Sequence, residues 1–122
     1  MKLHASGPSG VNTITGYGEG YVMVNGERRD SSLVVLPDRI EEWAVAGFDR
    51  LTAEDFLFLR ELRVEIVLLG TGARQRFPHP RLTAALAQAR IGLEVMDVQA
   101  ACRTYNILVA EERKVAAALL FE

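Results

Sequence analysis

The chain has 122 residues, of which 49% are hydrophobic and 25% charged, and its formal net charge is -2. That length supports one hydrophobic core, and the balanced composition excludes disordered, collagen-like and coiled-coil classes. With no basic surplus to neutralise a phosphate backbone, nucleic-acid binding is not expected.

Residues 1–12 are small and polar, include Pro8 and Gly10, and read as an irregular lead-in. Neither residues 1–9 nor the apolar run Val115 to Phe121 matches a signal peptide or a bilayer span. A cytoplasmic protein without membrane insertion is therefore expected. From Ile14 to Val24 aromatic and branched residues mix with glycines, and Asn25-Gly26 follows. That dipeptide accepts positive φ at both central positions of a type I′ turn, which predicts a β-hairpin whose partner strand starts near Glu27. Leu33 to Leu36 is an apolar run of strand length stopped by Pro37. Ile40 to Val45 reads as a short helix interrupted by Gly47.

Thr52 stands three residues before Asp55, a variant capping box that opens a helix over Ala53 to Leu62. Within it Phe56, Leu57, Phe58 and Leu59 are consecutive, more than one narrow stripe can bury, so they form a candidate surface for a partner protein. Val64 to Leu69 reads as a central strand covered on both faces and ends in Gly70-Thr71-Gly72. Pro80 suits the first turn of the next helix, and Leu82, Ala85, Leu86 and Ala89 give it one apolar stripe, with Gly92 expected to close it. Leu93 to Met96 is the next strand. Asp97 is placed to cap a third helix in which Val98, Ala101, Cys102, Tyr105 and Val109 share a face, and Val115 to Phe121 reads as the last strand.

This alternation of strands and helices predicts a single α/β domain over residues 1–122, with a mostly parallel central sheet and the early hairpin added to it. Gly70-Thr71-Gly72 sits between a strand and a helix, where backbone N–H groups often face a phosphate. Gln75 occupies the place of the third glycine of a dinucleotide fingerprint, so no nucleotide cofactor is expected. Arg74, Arg76, His79 and Arg81 follow, and parallel strands put this loop beside the Met96-Asp97 turn. Gly70, Thr71, Gly72, Arg74, Arg76 and Asp97 are thus the candidate pocket for a small anion or ligand, against the plain alternative of a solvated basic loop.

The only histidines, His4 and His79, lack a second ligand at metal-binding spacing, and no metal is expected. Cys102, the only cysteine, falls on an apolar stripe and reads as a buried, inert thiol in a reducing compartment. No catalytic residues are identified. Thr104, Tyr105 and Asn106 are weak helix formers, which points to Asn106 bonding a neighbouring loop while Tyr105 packs in the core.

Gly70-Thr71-Gly72, the Gln75-Arg76-Phe77-Pro78 loop, Met96-Asp97, the run from Ala100 to Asn106 and the stretch from Arg113 to Leu120 together resemble a widespread family of small domains of unknown function. It includes the mitochondrial complex I assembly factor 3 and a cytosolic adipogenesis-associated protein. The resemblance implies a three-layer α/β domain whose mixed central sheet has one antiparallel strand, plus an additional β layer that the early hairpin suits. No catalytic residue comes with it. The chain departs from the family pattern at Val98-Gln99, where a threonine and a glycine are expected, and this argues against a shared ligand site at that turn. Two functions stay open. The favoured one is a non-enzymatic binding or assembly-factor-like module that docks on a partner protein, without cofactor. The other is a small-anion or small-ligand binding protein, or a cryptic enzyme, with its pocket at the Gly70 loop.

Overall fold

A computed structural model describes residues 10–122, so most of the expected lead-in lies outside the described residues. Eight strands and three α-helices follow: β1 (Ile14–Gly18), β2 (Tyr21–Val24), β3 (Glu27–Arg29), β4 (Leu33–Val35), β5 (Ile40–Glu42), α1 (Ala53–Arg60), β6 (Ile66–Gly70), α2 (Pro80–Gln88), β7 (Gly92–Met96), α3 (Val98–Ala110) and β8 (Val115–Leu119). β1, β2 and β3 make a small antiparallel sheet, and the other five form a mixed sheet in the order β5-β4-β8-β6-β7. β8, β6 and β7 are parallel neighbours, whereas β4 pairs antiparallel with both β5 and β8, so one strand opposes the other four. The four long apolar runs of the sequence thus share one sheet.

The hairpin expectation needs one correction. The stretch from Ile14 to Val24 turns back at Glu19-Gly20, where Gly20 has φ 77°, and gives two strands instead of one. The Asn25-Gly26 turn then adds the third, with φ of 52° and 82°, both positive as a type I′ turn requires. The expected helix over Ile40 to Val45 is also corrected. Leu36 donates its N–H to the Arg39 carbonyl at 2.9 Å, closing a turn that sets Ile40 opposite Val35. Once the chain has reversed there, strand pairing to β4 satisfies the backbone groups a helix would have paired internally. Nor does Gly92 close α2: Arg90 takes the left-handed conformation, at φ 59°, and Gly92 starts β7.

Alternate residues of the central strands feed two cores. Leu33, Val35, Leu68, Val115, Ala117 and Leu119 pack with α3 and the small sheet. Val34, Leu36, Val67, Leu69, Ala116 and Ala118 pack with α1 and α2. β8 is buried throughout, and its three alanines leave room for helices on both faces. The expected box at α1 is present, with the Thr52 N–H donating to Asp55 Oδ2 at 2.8 Å. All five residues expected on the inner face of α3 are buried.

α3 also holds the small sheet. Asn106 Oδ1 accepts from the Ile14 N–H at 3.0 Å, and Asn106 Nδ2 donates to the Ile14 carbonyl at 2.7 Å. Tyr105 donates its hydroxyl to the Asn12 carbonyl at 2.9 Å, and Arg103 donates to the Tyr17 hydroxyl at 3.1 Å. The polar run inside this helix is therefore a seam between two structural units, as the reading of Asn106 and Tyr105 anticipated.

Candidate functional site

At the carboxyl ends of the parallel strands the Gly70 loop and the Met96-Asp97 turn do meet. The Thr71 N–H donates to the Met96 carbonyl, and the Val98 N–H to the Gly72 carbonyl, both at 2.9 Å. Gly70 permits the close approach of α3, since a Cβ there would lie 3.0 Å from Leu119 Cδ2 and 3.2 Å from the Val98 backbone. Gly72 holds a left-handed φ of 90°. Thr71 is wholly buried and its hydroxyl is committed, donating to the Arg74 carbonyl at 2.7 Å and accepting from the Arg76 N–H at 3.0 Å. The first two glycine-loop positions thus serve packing.

A cavity of about 290 Å³ opens beside this loop, bounded by Gly72, Ala73, the first residues of α3, the Gly18–Gly20 turn and Leu120 to Glu122. Of the sequence-selected pocket residues, Gly72 and Asp97 line it. Asp97 serves α3 as its cap, Oδ1 accepting from the Ala100 N–H at 2.8 Å. Three carboxylates, Glu19, Asp97 and Glu122, are among the lining residues. Arg74 is exposed, and Arg76 is turned inward. The Arg76 guanidinium donates to the Thr71 carbonyl at 2.7 Å, pairs with the Glu122 carboxylate and lies 4.7 Å over the Phe48 ring. Its hydrogen bond to Glu122, together with its charge and the Phe48 amide, holds that carboxyl below the usual carboxylate range. The guanidinium expected to meet a free anion is therefore occupied by a side chain of the protein itself, and sequence spacing alone does not reveal Glu122 as its partner.

A second cavity, about 410 Å³, lies at the opposite end of the sheet, with Leu36, Leu62, Val64 and Val115 around it and Arg63, Arg113 and Lys114 among its charged neighbours. The sequence reading missed it because these residues come from four separated segments. Arg63 and Glu112, in the turns that follow α1 and α3 at its rim, take left-handed conformations at φ 57° and 61°.

The consecutive apolar residues of α1 separate. Phe56 and Leu59 are wholly buried, Phe58 packs against the same core, and Leu57 alone is open, at 39% exposure. They do not make one continuous outer surface. Cys102 is buried, and burial pushes its thiol up to about 12. Among the described residues no group of three or more His, Cys, Asp or Glu is arranged to hold a metal, and no helix is long and apolar enough to cross a membrane.

The family described as protein of unknown function (DUF498/DUF598) matches residues 14–120. The bovine protein named NADH dehydrogenase [ubiquinone] 1 alpha subcomplex assembly factor 3 is 36% identical over 109 residues, covering 88% of this chain and 59% of the relative. The chain thus spans about three fifths of that relative's length. A crystal structure from Bordetella parapertussis is 39% identical, with a TM-score of 0.88 over 94% of this chain and 100% of that one. A solution structure of a Mth938-like domain from Bordetella pertussis is 33% identical, with a TM-score of 0.80 over 98% of this chain and 92% of that one.

Proposed function

The chain belongs to the DUF498/DUF598 family of unknown function, and from that membership we propose that it is a one-domain, three-layer module that docks on a partner protein without catalysing a reaction. One observation carries this reading: the similarity to the bovine protein named NADH dehydrogenase [ubiquinone] 1 alpha subcomplex assembly factor 3 extends over 88% of this chain and 59% of that protein. The arrangement near the Gly70 loop supports it. The polar groups that chemistry would recruit there are engaged internally: the Thr71 hydroxyl, the Asp97 carboxylate and the outer nitrogen of Arg76 that pairs with Glu122. The buried thiol of Cys102 suits a reducing, cytoplasmic setting.

The alternative, a small-anion site at the same loop, is weakened by the pairing of Arg76 with Glu122 and by the carboxylates around the cavity. Cross-linking mass spectrometry on lysate of the native host tests the docking reading. Reproducible cross-links from this chain to one other protein are expected. Cross-links confined to the chain itself would overturn it.

A further inference from the structure

Phe77 is the most exposed large apolar side chain among the described residues, at 70%. Single exposed aromatics are common on surfaces. This one is unusual in that the chain on both sides of it is pinned. Before it, Gln75 Nε2 donates to the Val95 carbonyl at 2.9 Å, and Arg76 is tied to Thr71 through both its backbone N–H and its guanidinium. After it come Pro78 and Pro80, with φ restricted by their rings, and between them His79, whose Nδ1 accepts from the Arg81 N–H at 3.0 Å. Hydrogen bonds at Gln75, Arg76 and His79 and the rings of Pro78 and Pro80 thus restrain the chain around Phe77, whose ring is left in water. A loop already ordered loses little further entropy when it binds, and buried aromatic anchors carry a large share of interface energy.

The charge around the ring points to the kind of partner. Along the chain no Asp or Glu occurs between Glu65 and Glu94, and the carboxylate that reaches the loop, Glu122, is taken by Arg76. Arg74 and Arg81 flank Phe77, are exposed, and join no ion pair among the described residues, the Arg74 charge reaching the Glu122 carboxyl only from a distance. Carboxylates facing them would steer association and fix its orientation.

We propose that the Phe77 loop is the docking element of this chain: Phe77 enters an apolar socket on a partner protein whose rim carries carboxylates that meet Arg74 and Arg81. This rests on the docking reading above and adds to it the anchor and the chemistry of the surface it fits.

The test places a photo-reactive side chain, Phe77→p-benzoylphenylalanine, in the full chain expressed in its native host. Ile107→p-benzoylphenylalanine serves as control, since Ile107 is 58% exposed on α3, away from the loop in sequence. Expected is an adduct from position 77 to one protein, mapped to a peptide bearing Asp or Glu, and none from position 107. With that protein purified, Phe77→Ala should weaken binding at least tenfold while the melting temperature holds. Arg74→Ala with Arg81→Ala should slow association and flatten its salt dependence. An adduct at 77 to nucleic acid or to a second copy of this chain overturns the proposal, as does an affinity of Phe77→Ala within twofold of the parent. Adducts from 107 alone overturn the Phe77 assignment and leave docking standing. If neither position gives an adduct the assignment falls, and the lysate cross-links decide whether docking falls with it.

Discussion

Replacing Asn106 with alanine should loosen the join between α3 and the small sheet. The side chain closes two bonds on a single residue of β1, at 3.0 Å to the Ile14 N–H and 2.7 Å to its carbonyl. Ile14 is wholly buried, so truncation leaves both of its backbone groups without their partner. An unpaired buried group costs about 1–3 kcal/mol, and because the Asn106 side lets in some water the lower part of that range applies, giving about 2–3 kcal/mol for the pair. With an unfolding entropy of about 2.1 cal/mol/K per residue, a chain of this length loses about 4 °C per kcal/mol, so the melting temperature should fall by about 8–12 °C. Calorimetry on the parent and Asn106→Ala measures this directly. Asn106→Asp is the control, because it keeps the acceptor for the Ile14 N–H but turns a carboxylate towards the Ile14 carbonyl, and it should be destabilised as well. A fall below about 2 °C for Asn106→Ala would refute the seam as a stabilising device.

Three further outcomes follow from the same geometry. Gly70→Ala forces a Cβ to within 3.2 Å of the Val98 backbone, and overpacking of that kind should cost about 1–3 kcal/mol in urea unfolding. Burial pushes the Cys102 thiol up to about 12; the stability it gives by staying protonated is complete below about pH 8.5 and is lost as pH rises from there towards the folded value. Unfolding midpoints of the parent should therefore decline more steeply above about pH 9 than those of Cys102→Ala. Phosphate titrated into labelled protein should leave the amide resonances of Thr71, Gly72 and Ala73 unmoved, since Arg76 is held by Glu122; clear shifts at these three would restore the anion reading.

The strands and helices with a strong local pattern were legible in the sequence. The buried stripe of α3 and the Thr52 box follow from spacing alone, because helix periodicity and capping are local rules. β5 was not, since Ile40 to Glu42 becomes a strand only through the turn at Leu36 to Arg39 and through β4 beside it. The same limit applies to α1. Four consecutive apolar residues look like a surplus when the only surface in view is the helix itself, whereas core contacts on its inner side take Phe56 and Leu59 and most of Phe58. At the Gly70 loop the sequence located the meeting of two turns correctly, because parallel strands dictate it. What escaped it was the spending of the loop's polar groups: the partner of Arg76 is Glu122, 46 residues away. Phe77 passed as part of a motif, since nothing local in the sequence shows that the folded chain leaves its ring exposed.

Docking as the work of this chain is tested most directly by the size at which it travels in its native host. At 13.5 kDa the free chain is small, so a bound partner changes its elution strongly. Gel filtration of gently lysed host cells, with the chain followed at its natural abundance, should place most of it in a fraction well above its own mass, together with one recurring protein. Elution at the mass of the free chain or of its own dimer, under conditions that preserve known complexes of the same cells, would contradict the account.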